Sequence, residues 1–326
     1  MPDAHLELDS GTLDARILVD ASPIDATPED TSNPTEDVAD AGLSEDTGLL
    51  RDAEADPREC YEEAYFPYLP IDDVRTDFRT QRRSGFNSLK EVLRRRYPAG
   101  YDLLIEEQND PYTGSFVDSS SFSTVMESAM TEVHEATHGW DYGHSLFPVQ
   151  FSYWLRADLQ HSLTFNVNGF ARSEIYQMLE DNSTDLYART YLRGEQGTRE
   201  FLELLDELNC YVNGLGAITV TGEELTFGLS GRDGAVAFLY YVQLYLRKVR
   251  VEQPSLYQVM QNDSALVEHL KLQWLRTHFY LEYADQIPRI GIRDADIRAL
   301  LYAPHNMFEI SNLIGRCIDP SPCLCD

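Results

Sequence analysis

The sequence TEVHEATHGW places two histidines, His134 and His138, four residues apart, and Glu135 directly follows the first of them. Residues at this spacing lie one above the other on one face of an α-helix, so both imidazole rings can bind one metal ion. From its position Glu135 can reach a water molecule on the ion and remove its proton, rather than bind the ion itself. The pattern therefore requires a helix at this point and predicts a metal site on it.

The residues around the motif carry the signals of an amphipathic helix. Ser121 or Ser123 can cap its start, and Thr124 with Glu127 fits a capping box. Apolar residues then recur at helical spacing: Val125, Met126, Ala129, Met130, Val133 and Ala136. Gly139 follows the motif directly, where a helix can end in a left-handed cap. We therefore predict a capped helix that ends at the motif.

Composition divides the chain into three parts. Residues 1–60 contain 17 Asp and Glu against three Arg, together with many Pro, Ser and Thr. Such a segment cannot bury enough apolar surface to offset the entropy of ordering it, so residues 1–58 are predicted to form a disordered acidic tail. Residues 59–316 are expected to form the folded domain, and residues 317–326 (CIDPSPCLCD) a cysteine-rich tail.

The overall charge excludes some classes of partner. The chain of 326 residues has 26 basic against 55 acidic residues, a formal charge of −29. A nucleic-acid binder needs a basic face to displace counterions from phosphates, so we expect no nucleic-acid partner. The sequence contains no apolar run near the roughly 18 residues that a membrane span needs, so we expect no span.

The cysteines favour a disulfide. Cys60 begins the folded part and three cysteines lie in the last ten residues, with Cys210 between them. We expect a disulfide that ties the C-terminal tail to the body, with Cys60 as the candidate partner. Because disulfides form in oxidising compartments, and because the Asp-rich segment resembles the spacers of some bacterial envelope proteins, an extracytoplasmic location is expected. The residues after Met1 do not form a signal peptide, so we expect this sequence to lack one.

Elsewhere the sequence predicts a small sheet early and helices late, an α+β pattern. A basic helix is expected over residues 88–96, its charges paired with acidic residues, and a strand over residues 101–106 (YDLLIE). Residues 149–170 look extended, with Leu163, Phe165 and Val167 alternating. Helices are predicted at about 183–193, 198–213, 234–250, 255–261, 264–284 and 294–302.

The motif resembles the zinc-binding helix of the zincin metallopeptidases. The later segment YLRGEQGTREFLELLDELNCYVNGL is similar to a loosely characterised group of secreted bacterial zincin-like proteins, in which DE-x-x-AY-x-x-G follows the zinc helix. Cys210 stands where that element has Ala, and the resemblance covers roughly residues 125–215. It implies a zincin-like catalytic domain, a Zn²⁺ ion held by His134 and His138, and Glu135 as general base.

Two residues compete as the third zinc ligand. His144 lies six residues after His138, the spacing of the motif HExxHxxGxxH, but Asp141 stands where that motif has Gly. Glu207 is the ligand that the resemblance to the bacterial group implies, and helical spacing puts it on one face with Glu203. Four carboxylates remain as further candidates: Asp185, Glu180, Glu203 and Asp206.

Three side chains are candidates for stabilising the negative charge that develops on a substrate carbonyl oxygen. They are Tyr211, Arg189 and Tyr191. The segment TDLYARTY also resembles the ligand helix of some toxin-type zincins, with Arg189 in place of an acid. Residues 166–168 are a candidate edge strand for pairing with an extended peptide.

The expected function is thus hydrolysis of a peptide or protein substrate by a zinc metallopeptidase. The alternatives are a zinc amidase acting on a non-protein or cell-wall peptide amide, a catalytically silent zincin-fold binding protein, and a structural protein in which the motif is coincidental. The sequence indicates neither the cleavage specificity nor the oligomeric state.

Overall fold

The computed structural model of the protein describes residues 60–314 and 320–323. The predicted acidic tail, and Cys317 and Cys325, lie outside these residues. The helices are α1 Asp72–Arg79, α2 Gly85–Arg96, α3 Pro98–Glu106, α4 Phe122–Glu127, α5 Ala129–Gly143, α6 Asp185–Tyr191, α7 Phe201–Thr221, α8 Gly231–Glu252, α9 Pro254–Asn262, α10 Ser264–Ala284, α11 Asp294–Leu301 and α12 Pro304–Ile314. The strands are β1 Gln150–Arg156 and β2 Leu159–Thr164. The described chain is therefore mostly helical with a small sheet, which confirms the α+β expectation.

Helix α7 lies at the centre of the fold. All of its residues except Glu203 are buried, as expected for a helix that is covered on every side. Helices α5, α8 and α10 and strand β1 pack around it. At Gly214 an added Cβ would lie only 3.1 Å from the carbonyl oxygen of Met130. Glycine at this position therefore lets α7 approach α5, the helix that carries the histidine motif.

The two strands form an antiparallel hairpin that is attached to the end of α5. Tyr153 pairs with His161, and the backbone N–H of Trp154 donates to Asp141 Oδ1 at 2.6 Å. The extended prediction is confirmed for these strands but is wrong for Phe165–Val167, which is a 3₁₀ turn. Val167 is buried there, and Asn168 accepts a hydrogen bond from the backbone N–H of Leu202 at 3.0 Å. Residues 166–168 are therefore no edge strand, because this segment turns to bind the start of α7.

The predicted strand over residues 101–106 is wrong, since these residues belong to helix α3. Pro98 occupies the first turn of α3, where its missing N–H costs no hydrogen bond. The consecutive residues Leu103 and Leu104 are both fully buried, which does not fit a strand with one buried face. Tertiary packing on α2 and α5 decides the conformation of this short apolar run.

The motif helix differs from its prediction at both ends. Ser121 caps α4, but its capping-box partner is Thr124 alone. Glu127 instead accepts hydrogen bonds from the backbone and side chain of Thr226 at 2.9 and 2.6 Å, and the helix is interrupted at Ser128. At the other end α5 continues past Gly139 to Gly143. The predicted end is wrong because the anchoring of Asp141 to β1, described above, extends the helix.

Two further predictions are confirmed: the paired charges of α2 and a disulfide from Cys60. The basic residues of α2 pair with acids: Arg94 with Glu91, and Arg95 with Asp73 and Glu91, all at 2.7 Å. A disulfide joins Cys60 to Cys323, as expected. Within the described residues, the helices include none that is long and apolar enough to cross a membrane.

Candidate metal centre

Three side chains from α5 and α7 converge at one point. His134 and His138 lie on the same face of α5, with ring centroids 4.8 Å apart. Glu207, on α7, places Oε2 at 3.4 Å from His138 Nε2 and 3.9 Å from His134 Nε2. The three ligand atoms all lie within 4.8 Å of one another. The structure thus brings together the two motif histidines and Glu207, the third ligand that the resemblance implies.

The chemistry of these atoms fits a divalent metal ion. Among the described residues, His134 Nε2 and Glu207 Oε2 are buried atoms without a hydrogen-bond partner. A buried polar atom without a hydrogen-bond partner costs free energy. A bound ion at this point would remove that cost. Donors that bind one zinc ion at about 2.0–2.2 Å in a tetrahedral arrangement lie roughly 3.4 Å apart. The two separations from Glu207 Oε2, 3.4 Å to His138 Nε2 and 3.9 Å to His134 Nε2, are close to that value.

Asp206 orients the second histidine. Its Oδ2 atom lies 2.8 Å from Nδ1 of His138. Since a carboxylate accepts, Nδ1 donates the proton and Nε2 is the nitrogen that faces Glu207. Asp206 itself is buried beside Asp141 and Cys210. A metal-binding histidine commonly has such a carboxylate on its other ring nitrogen, which fixes the ring orientation.

A buried network of hydrogen bonds holds Asp141, which lies beside Asp206. Asn209 donates to Asp141 Oδ2 at 2.9 Å and to the carbonyl oxygen of Trp154. Arg276, fully buried, donates in turn to Asn209 at 3.1 Å. Burial, and then the neighbouring Asp206 carboxylate, raise the pKa of Asp141. The network therefore connects the metal centre to α10 through hydrogen bonds.

Arg172 holds the other oxygen of Glu207. This arginine is fully buried, and its Nη2 atom lies 3.4 Å from Glu207 Oε1. Further bonds from the same guanidinium to Gln196 and to the carbonyl oxygen of Glu203 fix its position. Glu207 therefore has one oxygen engaged by a cation, and its second oxygen faces the histidines.

The electrostatics keep two of the three side chains in the form that binds a metal. Burial, followed by the charge of His138, lowers the pKa of His134 to about 3, so this imidazole is neutral at pH 7. Burial alone would raise the pKa of Glu207, but His138 and Arg172 outweigh it and lower that pKa to about 2. Burial alone would lower the pKa of His138. Asp206 and the other acidic neighbours outweigh burial and raise that pKa.

Glu135 lies at the wall of a small cavity that opens beside His134. Tyr191 and Tyr211 line the same cavity, and their hydroxyl oxygens lie 2.9 Å apart. The ring of Tyr211 packs edge-on against His134, at 4.7 Å between centroids. Two of the three predicted charge-stabilising side chains are thus next to the metal centre.

The third of these, Arg189, lies elsewhere. Its side chain is 69% exposed and pairs with Asp185 at 2.9 Å on the surface of α6. Asp185, another candidate ligand, is not part of the group formed by His134, His138 and Glu207. The cations close to the centre are instead Arg172 and Arg199, which interacts with Glu203 at 3.2 Å.

His144, the alternative third ligand, is not brought to the other two histidines. It caps the C-terminus of α5, its ring stacks on Trp140 at 4.1 Å, and its Nδ1 atom lies 2.9 Å from the carbonyl oxygen of Trp140. Because the helix continues to Gly143, residue 144 projects from a different face than His134 and His138. Of the remaining candidates, Glu203 interacts with Tyr142 and Arg199, and Glu180 with His305.

Local sequence patterns do not reveal the roles of Asp206, Asp141 and Arg172. The sequence offers Asp206 only as a candidate ligand, and Asp141 only as the residue that replaces a glycine of another motif. Their proximity to His138 depends on how α5, α7 and β1 pack, which local spacing does not show. Comparisons of the chain with family models, with curated proteins and with solved structures give no match.

Proposed function

We propose that this protein is a zinc-dependent metallopeptidase with a zincin-like domain. The observation that carries the proposal is the convergence of three ligand atoms: His138 Nε2, and the buried atoms His134 Nε2 and Glu207 Oε2, which have no hydrogen-bond partner among the described residues. A donor set of two histidines and one glutamate leaves a coordination position open, which is the arrangement of catalytic rather than structural zinc sites. Zinc bound there would supply a Lewis acid that activates water and polarises a carbonyl group.

The side chains around the centre suit hydrolysis of an amide. Glu135 follows the ligand His134 and lines the adjoining cavity, so its carboxylate can accept a proton from the attacking water and deliver it to the leaving amine. The hydroxyl groups of Tyr191 and Tyr211 line the same cavity and are candidates to donate to the developing oxyanion. The presence of Glu135 beside the cavity favours a catalytic site over a silent binding module.

Metal content and hydrolysis, measured together, test this proposal. The wild-type chain, purified without chelator, should contain about one zinc ion per molecule. His138→Ala should lose most of the zinc, whereas Glu135→Gln should keep it and lose hydrolysis of a mixed peptide library by at least about 10²-fold.

Two variants control for non-specific effects. His305→Ala removes an exposed histidine that pairs with Glu180, and Glu106→Gln changes an exposed glutamate at the end of α3. Both should keep zinc and activity. A wild-type chain without zinc would refute the metal centre, and a Glu135→Gln chain as active as wild type would refute the proposed base.

A further inference from the structure

Basic side chains line an open groove on the surface, between the start of α2 and helix α3. The described residues that line it include one acid, Glu91, and four cations. The cations are Arg82, Arg83, Lys90 and Arg94. The groove, called here the basic groove, is thus a positively charged surface on a chain whose formal charge is −29.

The neighbouring carboxylates do not balance the charge of the basic groove. Arg83 and Arg94 have acidic partners, at 3.5 and 2.7 Å. Arg82 is exposed, and neither Arg82 nor Lys90 forms an ion pair with any acidic residue that the structure describes. Lys90 instead lies over the ring of Phe86, 4.6 Å from its centroid. Two cations of the groove are therefore available to an acidic partner.

The same chain contains a segment of opposite charge. Residues 17–50 include nine acidic residues and neither Lys nor Arg. Opposite charges attract one another within roughly 10 Å at 0.1 M salt, so the segment must come close to the groove to gain from this attraction. Its position in the sequence decides whether it can do so.

The start of the described chain lies beside the helix that borders the basic groove. Glu62, two residues after Cys60, lines a surface cavity together with Asp102 of α3. Tyr101 and Ile105, from the same helix, line the basic groove. Helix α3 has nine residues and a length of about 13 Å. Residues 51–59 can span up to about 30 Å, so residues 17–50 can reach the groove.

We propose that the acidic residues of segment 17–50 bind the basic groove of their own chain. An acidic molecule from outside would be repelled at long range, because residues 61–326 contain 38 acidic against 23 basic residues. The segment is subject to the same repulsion, but its covalent connection holds it near the groove at an effective concentration of the order of 1 mM. The inference does not depend on the proposed peptidase function.

Carbodiimide cross-linking of the full chain tests the contact, because the reagent joins a lysine amine to a neighbouring carboxylate. The chain has three lysines, of which Lys90 lines the basic groove. After digestion with trypsin, Lys90 should be joined to peptide 17–51, and Lys248 to its neighbour Glu252. The yield at Lys90 should fall at least about threefold when salt is raised from about 0.05 to about 0.5 M, because salt screens exposed charges.

Reversing the charge of two groove residues tests whether the cations attract the segment. Arg82→Glu with Arg94→Glu keeps Lys90 and should lower its yield of the product with peptide 17–51 at least about fivefold. Both arginines are exposed, so the fold should be unaffected. Arg189→Glu with Arg293→Glu makes the same change of charge on two exposed arginines of another surface and should leave the yield unchanged. An undiminished yield in the groove variant, or no product between Lys90 and peptide 17–51 in the wild type, would overturn the proposal.

Fluorescent polyglutamate distinguishes this segment from an acidic partner outside the chain. The wild type should bind it weakly, as measured by anisotropy. A full chain with the nine acidic residues of 17–50 changed to Asn and Gln should bind it at least about fivefold more tightly, because the groove is then unoccupied. Equal binding by the two chains, whether tight or absent, would contradict occupation of the groove by its own segment.

Discussion

Asp206 accepts a hydrogen bond from His138 Nδ1 across the interface of α5 and α7, at 2.8 Å. The bond joins residues 68 positions apart and directs His138 Nε2 towards Glu207, the next residue on the same helix. One turn of α7 therefore supplies both a carboxylate for the proposed metal ion and a carboxylate that holds the ring of a proposed ligand.

Asp206→Asn should weaken zinc binding about 10- to 100-fold, because an amide orients the His138 ring less firmly and lowers its basicity. Competition with a chromophoric chelator measures the dissociation constant. Asp158→Asn, on an aspartate that pairs with Arg156 at the surface, should leave it unchanged. An Asp206→Asn chain with wild-type affinity would show that the bond has no role in metal binding.

Glu207→Ala should abolish stoichiometric zinc binding, whereas His144→Ala should keep it. The reason is that Glu207 Oε2 lies within 4 Å of both histidines, while His144 stacks on Trp140 at the end of α5. Elemental analysis after gel filtration gives the zinc content of each chain. Loss of zinc in His144→Ala alone would reverse the assignment of the third ligand.

Arg172→Met should lower the free energy of unfolding by about 3 kcal/mol, because it leaves Glu207 Oε1 buried without its cation. A double-mutant cycle with Glu207→Gln, measured by urea unfolding of the zinc-free protein, should give a coupling of about 1–3 kcal/mol. Arg94→Met, which breaks an exposed pair with Glu91, should leave the free energy of unfolding almost unchanged, because solvent screens that pair. A zero coupling between Arg172 and Glu207 would contradict this account.

Gly214→Ala should destabilise the protein by about 1–3 kcal/mol, because the new methyl group would press on Met130 and force α5 and α7 apart. Gly143→Ala, at the last residue of α5, is the matched control. Its Cβ would meet nothing within 4 Å, so the higher helix propensity of Ala should make it neutral or slightly stabilising. Thermal unfolding followed by circular dichroism compares the two, and equal melting temperatures would argue against close packing at Gly214.

Reduction of the Cys60–Cys323 disulfide should cost about 2–5 kcal/mol, because the bond closes a loop of 263 residues and restricts the unfolded chain. The melting temperature of the wild type should therefore fall when a reductant is added. In a chain with Cys60→Ser and Cys323→Ser, the reductant should have no effect. A wild type insensitive to reductant would contradict the stabilising role.

Local spacing predicts the parts of the site that lie on a single helix. A four-residue separation on a helix puts His134 and His138 on one face whatever surrounds them, and Glu135 is fixed beside them. Most of the helices follow from apolar periodicity in the same way. Glu207 was predicted as a ligand from the resemblance of its segment to a family element. The spacing of acidic residues on an amphipathic helix does not distinguish a metal ligand from a solvated carboxylate.

The end of α5 and the surroundings of the proposed ligands depend on tertiary packing. Asp141 binds the backbone of β1, so the helix continues past Gly139, and this removes His144 from the centre. Asp206 contacts His138, 68 residues away along the chain, and Arg172 contacts Glu207, 35 residues away. Such contacts form because burying the apolar surface of α7 on all sides brings its polar residues together, and no local pattern encodes that packing.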